Sequence, residues 1–130
     1  MKEFMLFIRN KPDSKNSFSD TRHKEFLNAC KTYIEKLQKG KQLISAQPLV
    51  REGKMISGPA SGWKETSFQE GNDVMVGYYH ILAHNLDEAI ELAKGNPEFS
   101  FTDTARIEVR PVKMKEETTG YVYPDKQNNT

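Results

Sequence analysis

The order of hydrophobic periods along the chain is the feature that most restricts its fold. Segments of strand length, rich in β-branched and aromatic residues, alternate with two segments whose apolar residues recur every three or four positions. The first kind of pattern is typical of strands and the second of amphipathic helices. The order from the N-terminus is strand, helix, strand, an elaborated hairpin, strand, helix, strand.

The boundaries of these segments follow from capping residues and chain breakers. The predicted strands cover Glu3–Arg9, Gln42–Val50, Asp73–His84 and Ala105–Val112. The first helix follows Ser19 and Asp20 and ends at Gly40, and the second follows Asn85 and ends at the sequence GNP. This order is the split βαβ plan, which predicts an α+β, ferredoxin-like sandwich with two helices on one face of an antiparallel sheet.

Composition excludes several classes of protein. The 130 residues amount to one domain, and 19 basic against 18 acidic residues give a net charge of +1, so no basic nucleic-acid surface is expected. The single cysteine excludes a disulfide framework and fits a reducing cytoplasm. No segment approaches the length of a membrane span. We therefore expect a cytoplasmic protein without metal or cofactor that binds neither nucleic acid nor membranes.

The domain is predicted to cover residues 1–113, followed by a polar C-terminal tail at 114–130. Within the domain, residues 51–72 form a long loop or hairpin insertion that glycine and proline interrupt repeatedly. Such a loop is either functional or a solvated insertion. In the tail, Tyr121–Tyr123 has the composition of a short edge strand.

The two sides of the sheet are predicted to differ. Side chains alternate along a strand, so the first strand directs one wholly apolar set toward the helices and the other set away from them: Met5, Phe7 and Arg9. The last strand adds Arg106, Glu108 and Arg110 to this second side. That side is too apolar to face water and too charged for a plain core. We infer a homodimer that stacks two such faces and leaves a polar pocket between or beside them.

The third strand can be oriented in two ways, because both of its sides are apolar. Strict alternation puts Tyr78 and His80 on one side of this strand. The other side carries no histidine and is the better match for the helices, so Tyr78 and His80 are predicted to lie on the open side. His84 is four residues from His80, or roughly 13 Å along a strand at about 3.3 Å per residue. The two histidines are therefore not expected to chelate one metal ion, and His84 is predicted to be a solvated residue at the strand's end.

Several stretches, taken in order, carry a resemblance to a known family: MLFI, ISGPASGWKE, VGYYHI, LDEAIELAKGNP and IEVRPV. Together they resemble the YCII-related family, in particular the branch named for its DGPF motif, over Phe4 to Val112. The most specific match runs from Ser57 to Glu65, although Ser57 replaces the aspartate of the motif. The resemblance implies a dimeric α+β barrel whose clefts hold small organic molecules.

His23 is the candidate catalytic residue. It matches a histidine near the start of the first helix in a second branch of the family, where an aspartate completes a dyad; this chain has no clear match for that aspartate. In the first turn of a helix the dipole favours a neutral imidazole, which suits a general base. The alternative is a histidine packed at the edge of the core with one hydrogen bond.

The other candidates are ligand-binding residues: Arg9, Trp63, Tyr78, His80, Glu108 and Arg110. The arginines, with Arg106, either clamp a carboxylate or pair with Glu108 across neighbouring strands. Trp63, with Phe68, either closes over an apolar ligand or contacts the dimer partner. Cys30 is interpreted as a small core residue rather than a nucleophile.

Three functions fit these patterns. The preferred hypothesis is a dimeric domain that binds a small organic molecule, anionic or aromatic, near the dimer interface without an assigned reaction. The second is an enzyme of lyase or isomerase character that uses His23 as its base. The third is a protein-interaction or regulatory module without a ligand.

Overall fold

The computed structural model describes residues 1–68 and 73–124. In chain order its elements are β1 (Lys2–Asn10), α1 (Asp20–Lys39), β2 (Leu43–Pro48), β3 (Met55–Ser57), β4 (Lys64–Thr66), β5 (Val74–Ala83), α2 (Leu86–Lys94), α3 (Pro97–Phe101) and β6 (Arg106–Pro111). The main sheet is antiparallel with strand order β2-β5-β1-β6, and β3 and β4 form a separate hairpin. The predicted α+β, ferredoxin-like class is confirmed.

The helix termini follow the predicted capping residues. The Ser19 hydroxyl accepts a hydrogen bond from the backbone N–H of Arg22, and the Asn85 side chain accepts one from Glu88. The short helix α3 was not predicted, because the sequence GNP was interpreted only as a stop. Asn96 caps this helix, and Pro97 occupies its first turn, where proline loses no hydrogen bond.

The core lies between the helices and one face of the sheet. Its strand residues alternate as predicted along β1 and along the second half of β5: Phe4, Leu6, Ile8, Tyr79, Ile81 and Ala83. The alternation changes near the start of β5, where Ile8 pairs with Gly77 and Arg9 with Met75. This register shift leaves Val76 as an extra residue, and both Val74 and Val76 are buried. Their predicted location on the side of Tyr78 and His80 was therefore wrong.

The buried stripe of α1 differs from the one that the helical spacing of His23, Leu27, Cys30, Ile34 and Leu37 predicts. Phe26, Tyr33 and Leu37 are buried, whereas His23 and Leu27 are exposed. The helix is rotated toward its aromatic residues Phe26 and Tyr33, while Leu37 belongs to both the predicted and the observed stripe. The Tyr33 ring packs edge-to-face on Tyr79 with centroids 5.3 Å apart, and its hydroxyl donates to the Leu92 carbonyl at 2.8 Å.

A buried polar cluster connects the end of β1 to α3. The Asn10 amide donates to the Glu98 carboxylate at 2.8 Å, and the Lys15 ammonium pairs with the other oxygen of Glu98 at 2.7 Å. Thr102 and Thr104 complete the hydrogen bonding of Asn10. The cluster fixes the loop after β1 against the helical side of the molecule.

The segment after β6 folds back on itself instead of adding a strand to the main sheet. Val122 forms a bridge with Lys115, so the predicted edge strand at Tyr121–Tyr123 pairs within the tail. Residues 69–72 of the predicted insertion and 125–130 of the tail lie outside the described residues. Among the helices of the described chain, none has the length and hydropathy needed to cross a bilayer.

The position of the α1 stripe predicts different effects for two leucines of the same helix. Leu37 is 1% exposed and Leu27 is 52% exposed. We expect Leu37→Ala to lower the free energy of unfolding by about 2–5 kcal/mol, because it leaves a cavity in the core. Leu27→Ala should lower it by less than about 1 kcal/mol. Urea denaturation of the two variants measures both changes, and the reverse order would contradict the packing of α1.

Cys30 is predicted to react slowly in the folded protein. Burial, with the nearby Glu98 carboxylate adding to it and Lys15 opposing it, raises the pKa of the thiol from 9.0 to about 11. Near pH 8 the thiolate fraction is then on the order of 100-fold smaller than in the unfolded chain. Labelling with a thiol reagent should therefore be at least that much slower in buffer than in urea. Equal rates would contradict the interpretation of Cys30 as a core residue.

Candidate functional site on the open face of the sheet

Cross-strand pairing arranges the residues of the face that the helices do not cover, called the open face below, in rows. The central row, from β2 to β6, contains Ser45, His80, Met5 and Arg110. The adjacent row contains Gln47, Tyr78, Phe7 and Glu108. A third row contains Met75, Arg9 and Arg106. Directly opposed side chains share one face and lie about 5 Å apart at Cβ.

His80 is hydrogen-bonded to a buried carboxylate. Its Nε2 lies 2.6 Å from Oε1 of Glu3, whose side chain is 6% exposed, whereas the His80 side chain is 24% exposed. Glu3 is two residues before Met5 and therefore projects from the same face of β1. When Glu3 is ionised its carboxylate only accepts hydrogen bonds, so Nε2 then donates to it. Among the described residues, none is hydrogen-bonded to Nδ1.

Two of the three arginines are held by one aspartate. Arg106 contacts Oδ2 of Asp73 through Nη2 at 2.6 Å and through Nε at 2.7 Å. Arg9 reaches the other oxygen of Asp73 through Nη1 at 3.5 Å. The two contacts of Arg106 are charge-assisted hydrogen bonds that converge on one carboxylate oxygen. Asp73 therefore restrains both arginines of the third row and neutralises one of their two positive charges.

Arg110 is less restrained. Its nearest carboxylate is Glu108, which is 3.7 Å away on the same strand, and the Arg110 side chain is 68% exposed. An exposed pair at this distance contributes roughly 0–1 kcal/mol, so it is easily exchanged for another anion. The predicted alternative of cross-strand pairing with Glu108 was wrong in detail, since the pairing occurs along β6.

The open face thus combines groups of three kinds. Arg110 provides an available cation, His80 provides an imidazole supported by a carboxylate, and half-buried Met5, Phe7 and Tyr78 form an apolar floor beneath them. A cation beside an apolar surface favours a small organic anion, because the two recognise different ends of such a molecule.

The structure brings together five of the predicted ligand-binding residues on this face: Arg9, Tyr78, His80, Glu108 and Arg110. Trp63 lies between β3 and β4 and is 66% exposed. Its ring packs beside Gly58, whereas Phe68 packs against Gly53 and the edge of the core. The two rings therefore pack against different parts of the single chain.

His23 lies apart from the open face. It is exposed in the first turn of α1, and α1 packs on the opposite face of the sheet through Tyr33 and Leu37. The predicted location of His23 on the buried stripe was wrong, and the fold of the single chain does not bring it together with Arg9 or Arg110. His84, as predicted, is solvated beyond the end of β5, where its Nδ1 lies 3.0 Å from Glu88.

Sequence reasoning missed Glu3, Ser45 and Asp73 as members of this face. Alternation along β1 does place Glu3 on the side of Met5, so its orientation was within reach of the sequence. Its pairing with His80 depends on the register between β1 and β5, which the sequence alone leaves open. Asp73 lies just before β5, beside the end of the third row, and this position brings it into contact with Arg9 and Arg106.

Comparison with known proteins gives one family. No curated protein matches the chain significantly. A family profile described as YCII-related domain matches residues 2–114, which include all strands of the main sheet and the three helices. The chain therefore belongs to the YCII-related domain family.

Proposed function

We propose that this YCII-related domain binds a small organic anion on its open face, and that a second copy of the chain covers this face in a dimeric α+β barrel. The single observation that supports the proposal most is the central row, where Arg110 and the His80–Glu3 pair flank Met5. Two strand spacings separate the backbones of His80 and Arg110, which is about 10 Å. A small acid that lies over Met5 spans this distance.

The dimer follows from the physical character of the face. Half-buried Met5, Phe7 and Tyr78 leave apolar area in water in a single chain, and such patches are typical of interaction sites. Sheets that pack face to face are about 10 Å apart. The exposed side chains of Arg110 and Glu108 at the edge of the face keep the sheets from closing completely there, which leaves room for a ligand.

The ligand class follows from Arg110 and its neighbours. A guanidinium binds a carboxylate through two parallel hydrogen bonds, and the ligand's carboxylate replaces Glu108 as the partner of Arg110. The rings of Phe7 and Tyr78 lie in the adjacent row, so a flat aromatic or unsaturated body has a surface to contact. A monocarboxylic acid of this kind satisfies both groups.

The hairpin of β3 and β4 belongs to the same proposal. It contains Ser57 to Glu65, the stretch on which we assign the chain to the DGPF-motif branch. Its apolar side chains Met55, Ile56 and Trp63 are exposed in the single chain, and an isolated two-stranded hairpin is only marginally stable in water. We propose that the second subunit or the ligand covers Trp63.

Dimer formation through the open face is tested by two matched substitutions. We expect the wild-type protein to have twice the 14.9 kDa mass of the chain in light scattering. Phe7→Glu should give monomers, because it places a charge in the interface, whereas Leu27→Glu on the exposed side of α1 should not. Trp63 is the only tryptophan, so its emission should shift to the red in the monomeric variant. A dimer that Leu27→Glu dissociates and Phe7→Glu leaves intact would contradict the proposal.

Anion binding is tested with a panel of small aromatic and aliphatic carboxylates in a thermal-shift screen, followed by calorimetry on the acids that bind. Arg110→Ala should weaken binding about 10- to 100-fold, because a charge-assisted hydrogen bond contributes roughly 1.5–3 kcal/mol. Lys24→Ala removes the same charge from the helical side and should leave the affinity unchanged. Equal affinities for the wild type and Arg110→Ala would exclude Arg110 as the anion site.

A further inference from the structure

We propose that His80 and Glu3 act as an acid–base pair on the acid bound at Arg110, with His80 Nδ1 removing a proton from a carbon beside the acid's carbonyl group. This inference rests on the proposed function, and it assigns the base to His80 instead of His23. His80 is the catalytic residue in this scheme, and Glu3 is a positioning residue that acts through the imidazole.

The geometry supports this assignment because the two residues occupy rigid positions with unequal exposure. Glu3 lies on the central strand β1 and His80 on the neighbouring strand β5, so sheet hydrogen bonds fix both backbones. The carboxylate is buried behind the ring, and the ring keeps part of its area exposed toward the open face. A buried carboxylate that holds one nitrogen of a histidine sets the tautomer and directs the other nitrogen outward.

The groups that face His80 come from its own strand and from the other strands of the sheet. The Glu3 carboxylate on β1 is hydrogen-bonded to Nε2, and Arg110 on β6 lies in the same row beyond Met5. The row member from β2, Ser45, is uncharged, and Tyr78 is the ionisable neighbour on β5 itself. A carboxylate bound at Arg110 pairs with this cation and directs the body of the acid over Met5 toward His80.

The proton transfer needs no further reactant. The C–H bond breaks, its electron pair is delocalised onto the adjacent carbonyl oxygen as an enolate, and the proton moves to Nδ1. The proton then returns to the same carbon or to a carbon conjugated with it, which yields exchange or double-bond migration. The Ser45 hydroxyl, next to His80 in the central row, provides a hydrogen-bond donor for the enolate oxygen. The substrate class is accordingly a small keto acid, either saturated or with a double bond β,γ to its keto group.

The test uses proton NMR to follow small keto acids, saturated and unsaturated, that are incubated with the protein in D2O. We expect the wild type to accelerate loss of the signal of the carbon-bound proton, and His80→Gln to reduce this rate by about 100-fold or more. Glu3→Gln should reduce it by at least about 10-fold, and His84→Gln, which changes a solvated histidine after β5, should leave it unchanged. Calorimetry should show that His80→Gln and Glu3→Gln still bind the acid.

A second measurement tests the hydrogen bond between His80 and Glu3 in the absence of a ligand. Nitrogen-15 NMR of the His80 ring should show the proton on Nε2 in the wild type and a mixture of tautomers in Glu3→Gln, because a glutamine amide can either donate to Nε2 or accept from it. A wild-type proton on Nδ1 would overturn the inference. It would also be overturned if bound acids showed no exchange, or if His80→Gln exchanged at the wild-type rate. If the wild-type protein bound none of the acids, that result would instead contradict the proposed function.

Discussion

The register of β1 is the constraint on which the rest of the molecule depends. This strand pairs with β5 on one side and with β6 on the other, so it decides which residues of three strands share a face. A slip of one residue would direct Glu3 and Met5 into the helical core and Phe4 and Leu6 into the solvent. The full burial of Leu6 and Ile81 on the opposite side makes such a slip very costly. The core therefore maintains the arrangement of the open face, although no residue of that face belongs to it.

Ionic pairing then gives the open face two unlike ends. Asp73 holds Arg9 and Arg106 at the end where β5 begins, so these arginines are restrained and their charge is reduced. At the other end Arg110 has a long contact with Glu108, and the Nδ1 atom of His80 has no hydrogen-bond partner among the described residues. Three arginines on one face thus do not form one uniform anion site. Because binding strength depends on which cation is free of internal partners, Arg110 is the group on which the anion hypothesis depends.

The predictability of the fold differs between local and tertiary features. Helix ends followed from Ser19 and Asn85, because a cap is a contact between residues three positions apart. The α1 stripe did not follow, since His23 and Leu27 fit a helical period as well as Phe26 and Tyr33 do, and only packing against Tyr79 and Phe101 distinguishes the two. The extra residue Val76 in β5 likewise depends on the partner strand. In the candidate site, alternation predicted the face on which His80 and Arg110 lie. The contact between Glu3 and His80 could not be predicted, because it depends on the register between β1 and β5.

The described chain has two buried glutamates, Glu3 and Glu98, and a comparison of their partners shows how the His80–Glu3 pair differs from a structural contact. A buried carboxylate must be compensated, and Glu98 receives a permanent cation from Lys15 together with the amide of Asn10. That cluster lies on the helical side and holds a loop in place, which is a task that a fixed charge performs well. Glu3 is hydrogen-bonded to the imidazole of His80, a group that can both take up and release a proton. An imidazole is a less constant partner for a buried carboxylate than an ammonium group, because its charge depends on its protonation. It is the appropriate choice where a proton has to move, and the half-exposed ring of His80 lies on the one sheet face that the helices leave open.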